Sequence, residues 1–107
     1  VDALVRPAIA EVLGEPVLTR ASSQLALTVN LTYETPNAAA EGDGEILRDA
    51  LISRGATLDP ERSEMDYHAD SEQGFVLYDT GDPAFPSVRI SITPGSNGVY
   101  VNADRAQ

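Results

Sequence analysis

Five apolar side chains, Leu25, Leu27, Val29, Leu31 and Tyr33, alternate without a break against Ala26, Thr28, Asn30 and Thr32. A helix would scatter those five around its circumference, whereas a strand lines them up on one face. Residues 25–33 therefore predict a central strand with one dry face and one small, polar face. Its β-branched and aromatic content agrees.

The rest of the chain falls into place around that strand. Leu4, Val5, Ala8, Ile9, Val12 and Leu13 recur at helical spacing, so 2–13 predicts an amphipathic helix with Asp2 as its cap, Pro7 near its first turn, and Gly14 and Pro16 at its end. A short strand over 17–20 should follow and reverse near Ser22 and Ser23. Residues 35–44, rich in Pro, Asn, Ala and Gly, read as a loop. A second helix over 43–54 carries the apolar stripe Ile46, Leu47, Ala50 and Leu51 and stops at Gly55. After Asp59-Pro60 four strands are expected, at 63–69, 74–79, 87–93 and 98–102. Residues 94–98, Pro-Gly-Ser-Asn-Gly, form a hairpin loop between the last two.

The predicted order is helix, two strands, helix, four strands, in a single domain over 1–107. Antiparallel meanders with helices on one side give an α+β fold, a two-layer sandwich whose largely antiparallel sheet carries two helices packed on one face. In that arrangement Leu27, Val29, Leu31, Val88, Ile90 and Val101 share a core with Ile9, Val12, Leu47 and Leu51.

Composition removes much of the enzyme repertoire. There is no cysteine, hence no thiolate zinc site, iron–sulfur cluster, Cys nucleophile or disulfide. All seven basic residues are arginines, so no Schiff-base or P-loop lysine exists, and one histidine rules out a multi-His metal cluster from one chain. Seventeen acidic residues set a net charge of −10 with no basic cluster, which argues against a nucleic-acid partner. No apolar run approaches the roughly 20 residues of a membrane-spanning helix. A start at Val1 fits a processed secreted, periplasmic or anchored protein, and equally a trimmed chain or removal of an initiator Met before a small residue, so an extracytoplasmic location is the expectation and a cytoplasmic one the alternative.

Glu64, Asp66, His68, Asp70 and Glu72 occupy every second position. On a strand they would share one face, and Glu64, Asp66, His68 and Asp70 form a candidate divalent-metal row. Same-face neighbours about 6.6 Å apart suit two ligands better than four, and a solvated face balanced by Arg62 or Arg89 accounts for the same residues. Residues 75–81, Phe-Val-Leu-Tyr-Asp-Thr-Gly, resemble the hydrophobic-hydrophobic-Asp-Thr-Gly motif of retroviral-type aspartic proteases, in which two subunits each supply one Asp to a proton-sharing pair. Here Asp82-Pro83 follows where that family has Ala or Ser, and the second hydrophobic-Gly element is missing. A strand ending in an Asp/Gly/Pro turn explains those letters. Asn30-Leu31-Thr32 matches a glycosylation acceptor, but inside a central strand a glycan would be hard to attach.

No catalytic residue and no cofactor emerge. The expectation is a non-catalytic binding or protein-interaction module whose partner is another protein or a small ligand. The polar sheet face, with Thr28, Asn30, Thr32, Arg89, Ser91 and Tyr100, is its candidate surface, because Tyr and Arg combine contact area with a polar end. Two alternatives stand beside it: a carboxylate-dependent metal-binding protein or hydrolase using the row from Glu64 to Asp70, and an assembly subunit pairing through a sheet edge.

Overall fold

The computed structural model describes residues 1–24, 27–65 and 73–106. The elements, in order, are α1 (Asp2–Leu13), β1 (Val17–Gln24), β2 (Thr28–Glu34), α2 (Asp43–Ile52), β3 (Thr57–Leu58), α3 (Pro60–Met65), β4 (Gln73–Tyr78), β5 (Ser87–Ile92) and β6 (Gly98–Asp104). The six strands form one sheet in the order β1-β2-β6-β5-β4-β3, antiparallel throughout. The fold is α+β.

Register explains the core. Leu31 pairs with Val101, Val101 with Ile90 and Ile90 with Phe75, so one row of apolar side chains crosses four strands on one face. The neighbouring rows are Tyr33, Val99 and Ile92, and Val29, Ala103, Val88 and Leu77. This face belongs to the same buried cluster as Val5, Ala8, Ile9 and Leu13 of α1 and Leu47, Ala50 and Leu51 of α2. Ile90, Val99, Leu47 and Ile9 are fully buried. Removing that apolar surface from water supplies the main driving force for this two-layer packing.

At the N-terminal helix, Asp2 makes no capping bond. The N-cap is Val1, and the Asp2 carboxylate instead accepts bonds from Arg6 Nε at 3.1 Å, Arg6 Nη2 at 3.0 Å and the Tyr33 hydroxyl at 2.6 Å. That contact ties α1 to β2. Burial and the neighbouring carboxylate push the Tyr33 hydroxyl well above its ordinary pKa, while the Arg6 hydrogen bonds hold Asp2 below the usual carboxylate range. Pro7 lies inside α1, beyond its first turn, and its missing N–H costs the helix one bond.

Several expectations are corrected. Leu27 is 56% exposed rather than in the core, because β2 starts at Thr28 and Leu27 belongs to the turn from β1. Leu25 and Ala26 lie outside the described residues. Ile46 is exposed, so the buried stripe of α2 is Leu47, Ala50 and Leu51. β1 runs to Gln24 rather than ending near Arg20, with its ladder to β2 kept through a bulge between Leu18 and Arg20. The strand expected over 63–69 does not form at its start: Ser63 to Met65 are the end of helix α3. Asp59 caps that helix, its carboxylate accepting from the Arg62 N–H at 3.3 Å, with Pro60 at the first helical position.

α3 also finishes the sheet. Beyond the two-residue β3, the Val76 carbonyl accepts from the Asp59 N–H at 2.9 Å and the Val76 N–H donates to Ser63 Oγ at 2.9 Å. A buried hydroxyl thus stands in for the strand that β3 is too short to provide, satisfying an N–H that would otherwise cost about 1–3 kcal/mol.

Candidate functional site

Because side chains alternate along a strand, the register that makes one face dry fixes the composition of the other. Three rows cross it. Thr28 stands beside Asp104, Asp104 beside Ser87, and Ser87 beside Tyr78. Asn30 stands beside Asn102 and Asn102 beside Arg89. Thr32 stands beside Tyr100 and Tyr100 beside Ser91. All six residues expected on the polar face, Thr28, Asn30, Thr32, Arg89, Ser91 and Tyr100, therefore lie on one side of the sheet.

They do not contribute alike. A depression of about 500 Å³ on this face is lined by Thr28, Asn30, Arg62, Arg89, Asn102 and Asp104. Tyr100, 51% exposed, and Thr32 belong to the adjoining row, whereas Ser91 is only 8% exposed and offers little contact area. The lining brings together two guanidinium groups, two carboxamides, a hydroxyl and one carboxylate.

Arg62 arrives from α3. Its guanidinium is 3.9 Å from Asp104 and 3.5 Å from Ser87 Oγ, with about half of each charged side chain exposed to solvent, a contact worth little by itself. The helix that carries Arg62 is tied to the sheet at its first residues. The carboxylate of Asp59, buried at the N-terminus of α3, accepts the Tyr78 hydroxyl at 2.6 Å, so helix and strand are joined in the row that carries Ser87, Asp104 and Thr28. That bond holds Asp59 below the ordinary carboxylate pKa and raises Tyr78.

A pH dependence follows. The lowered carboxylates Asp2 and Asp59 stabilise the fold fully above the unfolded carboxylate pKa of about 4, and that contribution is lost as pH falls through their folded values. The raised hydroxyls Tyr33 and Tyr78 stabilise below the unfolded tyrosine pKa of about 10 and lose that contribution above it. Melting temperature against pH should fall at both ends, and Asp59→Asn should flatten the acid limb. An unchanged acid limb in that variant would remove Asp59 from this role.

The Asp-Thr-Gly stretch is a self-satisfied turn: Asp79 has φ 57°, its carboxylate accepts from Thr57 Oγ1 at 2.7 Å, and buried Thr80 donates to the Phe85 carbonyl at 2.5 Å. The cavity of about 680 Å³ beside it is lined by Tyr78, residues of that turn, Pro83 and Pro86, and its polar side chains are already engaged: Tyr78 with Asp59, Asp79 with Thr57, Thr80 with the turn backbone, and Asp82 with the Ala84 N–H and the N-terminal ammonium. Of the candidate metal row, Asp66, His68 and Asp70 lie outside the described residues, and Glu64 enters only as helical backbone. Among the described residues no group of three or more His, Cys, Asp or Glu side chains is placed to hold a metal, and no helix is long and apolar enough to cross a membrane.

Arg62 and Asp104 were not among the expected face residues. Asp104 was missed because β6 runs two residues beyond the strand expected over 98–102. Arg62 was missed because it is helical, although Asp59-Pro60-Glu61 carries a helix-start signal. The chain matches no protein-family model, no curated protein and no solved structure.

Proposed function

We propose that this protein is a non-catalytic binding module whose open sheet face receives an acidic, hydrogen-bonding partner. The observation that carries the reading is the depression where Arg62 and Arg89 meet Asn30, Asn102 and Thr28. Guanidinium groups bind carboxylates through paired N–H donors, and carboxamides on neighbouring strands offer donors and acceptors to a peptide backbone. On a chain of net charge −10, two arginines against the single carboxylate of Asp104 leave this depression with a positive balance that directs an acidic partner there rather than elsewhere. Tyr100 beside it adds an exposed aromatic surface.

Calorimetric titration with a pentaglutamate peptide at low ionic strength tests this reading. Binding is expected to weaken by roughly tenfold or more in Arg62→Ser/Arg89→Ser, since each charge-assisted bond contributes about 1.5–3 kcal/mol. It should also weaken with added salt. Equal affinity in a folded double variant would remove this face from the binding site.

A further inference from the structure

The two edges of the sheet differ. At one, β3 is two residues long and α3 closes what it leaves open. At the other, β1 is eight residues long, and every side chain from Val17 to Ser23 is exposed. Long open edges are templates for pairing with another strand.

The open backbone groups can be assigned. The Arg105 N–H donates to the Leu27 carbonyl and the Thr35 N–H to the Asn97 carbonyl, one at each end of the β2–β6 ladder. Antiparallel bonding alternates, so Val29, Leu31 and Tyr33 bond toward β6, and Thr28, Asn30 and Thr32 bond toward β1. Their partners Gln24, Ser22 and Arg20 are therefore committed to β2. Ala21 and Ser23 turn their N–H and C=O groups outward.

We infer that this edge pairs with a second copy of the chain, β1 against β1 about a two-fold axis at Ser22, making one continuous antiparallel sheet. The charge pattern favours that occupant. Seventeen acidic residues are distributed along the chain, yet from Pro16 to Tyr33 there is none. Two copies of charge −10 repel wherever carboxylates meet, and this edge is where they can approach without that penalty. About Ser22 the register sets Ala21 against Ser23 of the second copy and Arg20 against Gln24, with no like charges opposed. Leu18, on the same face as Tyr33, and Leu27 are exposed apolar side chains of this acid-free stretch, at 37% and 56%. The bulge at Thr19 limits the straight pairing segment to the run from Arg20 to Gln24.

Sedimentation equilibrium of the full chain from micromolar to millimolar concentration tests the pairing. The weight-average mass should rise from 11.4 kDa toward twice that value. Ala21→Pro removes an outward N–H and no β1–β2 bond, so the variant should keep its circular dichroism and remain at monomer mass. Leu27→Glu, in an exposed turn, places a carboxylate in the acid-free stretch and should weaken dimerisation at least about tenfold without relying on a proline. A wild-type mass of 11.4 kDa at every concentration would overturn the inference, as would a dimer undiminished in both folded variants.

Discussion

Ile90→Asp is expected to unfold the protein at neutral pH. Ile90 is fully buried on β5, between Val101 of β6 and Phe75 of β4, in the row that faces α1 and α2. A carboxylate there has no partner among apolar neighbours, and burying it costs several kcal/mol or forces its protonation. Total stabilities of such domains are about 5–15 kcal/mol, so a single substitution consumes much of it. The control is Thr32→Asp on the opposite face, where the residue is only partly buried and stands beside Arg20 of β1. Its effect should stay within about 1 kcal/mol by urea denaturation. Comparable losses from both would mean that the two faces of the sheet are equally dry.

Gly14→Ala should cost more than substitution at any of the open glycines. Gly14 ends α1 with φ 87° and ψ 168°, a conformation that side chains almost never adopt, at a cost of about 1–3 kcal/mol. An added Cβ would also overlap the Pro36 ring, and crowding of that kind adds about 1–3 kcal/mol. The junction matters because the Asn37 N–H bonds to the Leu13 carbonyl, so the loop after β2 is fastened to the end of α1 at this point. Gly42, with φ 92° but open space around it, should cost only about 1–2 kcal/mol when changed to Ala. Equal melting temperatures for the two variants would show that the contact with Pro36 yields easily.

The legibility of these features in the sequence follows burial. β2, β5 and β6 each have one dry face, and that asymmetry writes a period of two into Val29-Leu31-Tyr33, Val88-Ile90-Ile92 and Val99-Val101-Ala103. Both long helices show their buried stripe for the same reason. β1 is not legible to its full length because it is exposed on both sides, so its residues after Leu18 have no core to alternate against. The last residues of α3, Ser63 to Met65, read as the start of a strand because acidic residues alternate from Glu64, and the capping Asp59-Pro60 reads as a simple break in the chain. The polar face was legible as a set of residue types, but its geometry depends on pairing between strands distant in sequence. Asn30 and Asn102 become neighbours only through the β2–β6 register. Arg62 joins them only through α3.

The most direct measurement of the open-face reading is amide chemical-shift mapping during titration with pentaglutamate, with a neutral Gly-Ser peptide as reference. The expected result is a contiguous set of shifted amides at Thr28, Asn30, Arg62, Arg89, Asn102 and Asp104, with the row of Thr32 and Tyr100 affected next and the neutral peptide producing far smaller changes. Shifts confined to the Asp79 to Pro86 turn or to the helices, or equal responses to the two peptides, would contradict it.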